Sequence, residues 1–92
     1  MAVAEDPDMA IAIKYDREKD GAPRVIAKGM RLKAEKIREI AKAAGVPFMK
    51  NTTLAAALYR VDVGQEVPEE LYDAVAEVLN FVYALQQEQK KK

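Results

Sequence analysis

The sequence predicts a small α/β domain: a mixed sheet of about three to four strands with about three helices packed around it. Three observations carry that expectation. Met9-Ala10-Ile11-Ala12-Ile13-Lys14-Tyr15 alternates with a period of two, as a strand does. Residues 31–44, RLKAEKIREIAKAA, are helix formers with no Gly or Pro among them. Residues 24–50 read as strand, helix, strand, long enough for a crossover between parallel strands.

Each element follows from local chemistry. Residues 1–8 form an acidic N-terminal segment, read as a loop feeding the first strand. In 9–15, Ile11, Ile13 and Tyr15 point one way and Ala10, Ala12 and Lys14 the other. DREKDGAP, 16–23, is polar with Gly and Pro and reads as a loop. RVIAKG, 24–29, is a short strand ended by Gly29, able to pair with the first as an antiparallel hairpin. On the helix, Ile37, Ile40, Ala41 and Ala44 fall at i, i+3, i+4 and i+7 and give one apolar stripe. Gly45 stands at its expected C-cap. VPFMKN, 46–51, reads as a short strand, with Pro47 fitting an edge or a strand start.

Asn51-Thr52-Thr53 offers N-cap oxygens to a helix over 54–60. VDVGQEVP, 61–68, is a turn-rich connection. Pro68 suits the first turn of a last helix, with Glu69 and Glu70 at its positive end. Leu71, Val75, Val78, Leu79 and Val82 form its stripe, which runs to about Leu85 or Gln86. The folded domain is thus 9–86, and 87–92 is a polar, basic tail read as disordered.

Composition narrows the function. Ninety-two residues make one domain, and fifteen Lys/Arg against fifteen Asp/Glu name no partner by bulk charge. The chain has neither cysteine nor histidine, which removes thiol ligands, disulfides and the usual general base near neutral pH. No apolar run approaches the roughly 18 residues of a membrane span. The acidic start lacks the parts of a signal peptide, so a soluble intracellular domain is the default. Residues 24–60 hold nine Lys/Arg and two acids, while 61–89 hold seven acids and no Lys or Arg. Solvated helix faces account for this more simply than two steering surfaces.

Candidate chemistry is sparse. The four glycines are scattered and make no phosphate loop. Glu5, Asp6 and Asp8 lie adjacent in an extended segment and do not wrap an ion, so no metal or cofactor is expected. Thr52-Thr53 reads as a helix cap rather than a nucleophile, and Lys28 as a surface charge. The basic segment 24–60 leaves an alternative open: a small nucleic-acid-binding or regulatory adaptor, whose affinity would fall steeply with salt.

The segments AIAIKYD, APRVIAKG, IREIAKAAGVPFMKN, LAAALY and VGQEVPEELYDAVAEVL, in this order, resemble the cytoplasmic C-terminal domain of the FlhB/YscU/SpaS proteins. These are the substrate-specificity switch components of flagellar and injectisome type III export. The resemblance covers about residues 9–85, and APRVIAKG and VGQEVPEELY are its distinctive motifs. LYRVDVGQ is one residue shorter than the family's usual spacing.

The resemblance implies a non-enzymatic protein-binding module, cytoplasmic and peripheral to the inner-membrane export gate. It implies as partners export substrates or their chaperones, a membrane-embedded FlhB-type component and a ruler protein, with no nucleic acid. A shallow apolar patch associated with substrate docking matches Ala22, Pro23, Ala76 and Leu79. Leu79 is equally a core position of the last stripe, whereas Ala22-Pro23, in a loop, is harder to explain as core. The membrane part of the family has no counterpart here, which implies either an excised domain or, more economically, a short stand-alone homologue beginning at Met1.

The family also carries Asn-Pro-Thr-His before its first long strand and cuts itself between Asn and Pro. The Asn amide attacks its own carbonyl, forms a succinimide and expels the proline nitrogen. Here the matching positions are Glu5, Asp6, Pro7 and Asp8 without a gap, or Asp6-Pro7 on Asn-Pro with one deletion. Neither alignment supplies the Asn or the His. A carboxylate would have to form a high-energy anhydride, so self-cleavage at neutral pH is not expected. The chain begins almost where the family's cleaved C-terminal piece begins, which suggests that it substitutes for that piece.

Overall fold

The computed structural model describes residues 1–15 and 21–80. It is a four-stranded mixed sheet with helices on both faces. The strands are β1 (Ala2–Glu5), β2 (Met9–Lys14), β3 (Arg24–Met30) and β4 (Phe48–Lys50), in the order β3-β2-β1-β4. β1 and β2, and β2 and β3, pair antiparallel, while β4 lies parallel to β1. Helix α1 (Leu32–Ala43) connects the two edge strands, β3 and β4. These run in the same direction, so the predicted crossover is present, but it spans β2 and β1 instead of joining neighbours. The hairpin of β2 and β3 is also present, with a bulge at Ile26: Ala12 pairs with Ala27 and Ile13 with Val25.

The main departure from the sequence reading lies at the N-terminus. Residues 2–5 are a central strand, not a loop. Ala2, Val3 and Ala4 are fully buried, sandwiched between β2 and β4. Four residues, two of them alanine, give almost no strand signal, since Ala is depleted in strands and a strand buried on both faces need not alternate in polarity.

The two faces of the sheet differ in residue size. One face presents Ala2, Ala4, Ile11, Ile13 and Val25 to helix α2 (Thr52–Tyr59) and to helix α3, residues 72–80. A single 3-10 turn, Glu69–Leu71, leads into α3. The other face presents Val3, Ala10 and Ala12 to α1 through Ala34 and Ala41. Small residues on both sides bring α1 close to the sheet. Its buried seam is Ala34 and Ala41, with Ile37 half-buried, and Ile40 is 63% exposed. The predicted stripe through Ile37, Ile40, Ala41 and Ala44 is therefore rotated: the largest side chains do not mark the contact where the backbone comes closest. Gly29 belongs to that contact. It does not end β3, which continues to Met30. A Cβ at Gly29 would lie 2.5 Å from Lys33 Cβ and 3.0 Å from the Lys33 carbonyl carbon.

The caps are as the sequence predicts. Gly45, at φ 73°, closes α1 with Gly45 N–H to Lys42 O and Val46 N–H to Ala41 O, a Schellman pair. Asn51 caps α2, its side chain accepting from Leu54 N at 3.0 Å. Pro47 precedes β4, and its carbonyl accepts from Val3 N. Lys28 is not a free surface charge. Its Nζ donates to the carbonyls of Tyr59 and Val61 at 2.8 and 3.0 Å and lies 5.0 Å from the Tyr59 ring centre, closing the negative end of α2.

The 61–68 connection runs beside β3. Val25 N donates to Gln65 O, Gly64 N to Val25 O and Val67 N to Pro23 O, which covers that sheet edge. On α3, Val75 and Val78 are fully buried and Leu79 is 8% exposed, as the stripe predicts. Val82, the helix end near Leu85 or Gln86, the loop over 16–20 and the tail over 87–92 lie outside the described residues.

Gly29→Ala should lower stability by about 1–3 kcal/mol through overpacking against Lys33. In a domain of this size each kcal/mol corresponds to roughly 4–8 °C in Tm. Gly21→Ala, where nothing lies within 4 Å, should change stability by less than about 0.5 kcal/mol. Thermal melts of the two variants compare the effects directly.

Candidate functional site

Two places carry the residues that the sequence singled out. The first is the turn between β1 and β2, made by Asp6, Pro7 and Asp8. Asp6 is a buried charged residue, 6% exposed, while Pro7 and Asp8 are exposed. Asp6 N–H donates to Met9 O at 3.0 Å. The Asp6 Oδ1 accepts from Asp8 N at 2.8 Å and Met9 N at 2.7 Å. The carboxylate thus takes the Met9 amide, and the Asp6 carbonyl faces another donor.

That donor is Arg38, from the middle of α1. Its Nη2 donates to the carbonyl oxygens of Asp6 and Met9, the latter at 3.2 Å. Its Nε meets Glu5 Oε1 at 3.0 Å, and its Nη1 meets Glu35 Oε1 one turn back on the helix. One planar guanidinium therefore holds the end of β1, the turn and the start of β2. From the N-terminal end of α1, Arg31 N donates to Asp8 O at 2.8 Å, with Arg31 at φ 54°. A positive φ at a residue with a Cβ is strained, and this contact helps to hold it.

Chemically, this turn is built to hold its shape. Asp6 Oδ1 is committed to two amides. The carbonyl of the Asp6–Pro7 bond is hydrogen-bonded to a cation. Among the described residues no group of three acids is placed to hold a metal ion. Glu5, Asp6, Pro7 and Asp8 do lie together, as their adjacency requires. The sequence did not reveal that Arg38, more than twenty residues away, is their common partner. Its only signal was a lone arginine amid the lysines and acids of α1.

The second place is a shallow recess where the loop before β3 meets α3. Pro23, Ala76 and Leu79 line it together with Tyr15, Gly21 and Tyr72, around about 180 Å³ of space. Three of the four positions singled out from the sequence thus share one recess. Ala22 does not line it; it is 4% exposed and points into the protein. Pro23 is also largely buried, while Ala76, on the helix, is exposed. The sequence reading found the loop pair Ala22-Pro23 harder to explain as core than Leu79, whereas the pair and Leu79 are all buried. The loop is pinned by Val67 N to Pro23 O at 2.7 Å, and this draws the pair inward. Tyr15 and Tyr72, missed from the sequence, give the recess its aromatic rim. Tyr72 stands one helical turn before Ala76, a spacing that would have found it.

Three of the nine Lys/Arg of 24–60 are engaged within the domain: Arg24 pairs with Glu66 at 3.7 Å, Lys28 closes α2, and Arg38 is consumed by the turn. The nucleic-acid alternative loses that part of its support.

The model of the FlhB HrpN YscU SpaS family matches residues 2–82. The chain belongs to this family. Bacillus subtilis YlqH, an uncharacterized protein, is 43% identical over 83 residues, covering 90% of this chain and 89% of YlqH. The flagellar biosynthetic protein FlhB of the same species is 49% identical over 79 residues, 85% of this chain but 22% of FlhB. The chain thus spans about a fifth of that FlhB and nearly all of YlqH. The crystal structure of the cytoplasmic domain of FlhB from Shewanella putrefaciens superimposes with a TM-score of 0.93 at 40% identity, covering 98% of this chain and 70% of that one. A C-terminal domain of EscU carrying an Asn-to-Asp mutation matches with a TM-score of 0.85 at 28% identity, over 88% of this chain and 76% of that one. Among the described residues no helix is long and apolar enough to cross a membrane.

Proposed function

We propose that this chain is a non-enzymatic protein-binding module of a bacterial flagellar or type III export apparatus. It acts at the cytoplasmic side of the export gate, next to a membrane-embedded FlhB-type component. Export substrates, or their chaperones, dock in the recess of Pro23, Ala76, Leu79 and Tyr72. The observation that carries this reading is the meeting of Pro23 with Ala76 and Leu79 from distant parts of the chain. A rigid proline, a small alanine and two tyrosines offer a short apolar segment a preformed surface at low entropic cost. A ruler protein is a further partner by the same family argument.

We further infer that the chain does not cut itself. With Asp6 in place of an asparagine there is no neutral amide nucleophile, and the carboxylate oxygen is held by two backbone amides. Substitution for a cleaved C-terminal piece is less well supported than a role as a whole, uncut domain. By the motif match made on the sequence, β1 lies before the Asp6-Pro7 pair, and it already fills the slot between β2 and β4. An incoming strand would have to displace fully buried Ala2, Val3 and Ala4.

Two measurements test these readings. Ala76→Glu should weaken the binding of an export-substrate segment by about tenfold or more while leaving Tm unchanged, because Ala76 is exposed. The wild-type affinity should change little between about 50 and 200 mM salt, whereas a steep loss would favour a phosphate-binding role. In the second, the intact mass of the chain should stay constant through prolonged incubation at neutral pH. A fragment ending at Glu5 or Asp6 would overturn that expectation.

A further inference from the structure

The recess lies on the α2 and α3 side of the sheet. The opposite side carries a second concave surface, between α1 and the sheet, whose residues no part of the docking argument uses. Its floor is Val3, Ala12 and Ile26, and its helical wall is Ile37, Ile40 and Ala44. The volume is about 190 Å³ and the lining is almost wholly apolar. Met1 also lines it, at 52% exposure. This groove arises because α1 seats its alanines on the sheet, so that Ile40 stands at its lip, 63% exposed.

The charges around it are one-sided. Lys33 and Lys36 are exposed and precede Ile37 and Ile40 on α1 by one turn, so they flank the groove. Lys14 falls opposite Met1 when the β1–β2 register is extended by one residue from the Ala2–Ile13 pair, on the face of Ala12. The acids of α1, Glu35 and Glu39, lie on its other flank, with Arg38, Lys42 and Phe48. Among the described residues no carboxylate forms an ion pair with Lys33 or Lys36.

From Ile37 to Ala44 the helical wall rises about 10 Å, close to two turns. That length receives two apolar side chains spaced one turn apart on a partner helix. A floor recessed between a helix and a sheet admits side chains, whereas a flat lipid surface would not reach the half-buried or buried floor of Val3, Ala12 and Ile26. We propose that this groove docks a short amphipathic segment of a partner protein, with two apolar side chains one helical turn apart and carboxylates beside them. The lysines select the acidic flank and the floor takes the apolar side chains. This proposal does not rest on the recess of Pro23 and Leu79.

The test is a titration of the isotope-labelled full chain, followed by amide chemical shifts. The probe is a designed helical peptide of about 12 residues, with two leucines one turn apart and glutamates flanking them. A matched peptide carries lysines in place of the glutamates. Shifts should cluster on Val3, Ala12, Ile37, Ile40 and Ala44, and the glutamate peptide should bind about tenfold tighter or more. Ile40→Glu and Lys36→Glu, both at exposed positions, should each weaken it about fivefold or more with Tm unchanged. Four results would each overturn the proposal: equal binding of the two peptides, shifts centred on Tyr72, Ala76 and Leu79, no shifts at about millimolar peptide, or shifts produced by phosphatidylglycerol vesicles but not by the peptide.

Discussion

The Arg38 guanidinium is the contact on which the rest of the structure depends. It reaches from α1 to the seam between β1 and β2 and is hydrogen-bonded to two backbone carbonyls and two carboxylates. Its side chain is 18% exposed, so these bonds are only partly screened by water. β1 has only four residues, so it has little of its own to hold it. Two of its four side chains are alanine, whose burial is worth much less than that of leucine or isoleucine. Yet it is the strand through which β4 joins the sheet. Fixing its C-terminal end at Glu5 and Asp6 therefore fixes the sheet order.

The turn between β1 and β2 is held from within as well as from α1. Asp6 uses its side chain as a local hydrogen-bond acceptor, a usual role for Asp in turns. The same arrangement presents the Asp6 carbonyl to Arg38. Asp6 and Arg38 thus form one unit, and it fixes the geometry between β1 and β2. The domain that results has two concave apolar surfaces on opposite sides of the sheet. One is bounded by a loop and α3 and the other by α1.

Much of this was legible in the sequence. β2, β3, α1, α2 and α3 follow from period, caps and breakers, and Gly45, Asn51 and Pro47 do what their chemistry predicts. The positions of Pro23, Ala76 and Leu79 were legible only through family resemblance, because nothing local joins a loop to a helix fifty residues on. β1 was not legible, since a short alanine-rich strand buried on both faces has neither alternation nor strand propensity. The rotation of α1 was hidden for a related reason. A hydrophobicity pattern weights isoleucine over alanine, but close packing against the sheet selects the smaller side chain. The role of Lys28 was hidden because a lysine that closes a helix end looks in sequence like any surface lysine.

The account's central claim is that the Arg38 clamp makes β1 part of one cooperative sheet. Native-state hydrogen exchange tests it at two amides that cross between β1 and its β4 side, Val3 N to Pro47 O and Asn51 N to Glu5 O. In the wild-type protein both should exchange only through global unfolding, with the same free energy as the amides of β2. In Arg38→Ala the global stability should fall by about 2–3 kcal/mol, since several charge-assisted hydrogen bonds are lost. The same two amides should then exchange through a separate opening that leaves α2 and β3 closed. If Val3 and Asn51 keep their protection in Arg38→Ala, or already open separately in the wild-type protein, the clamp is not what holds the sheet together.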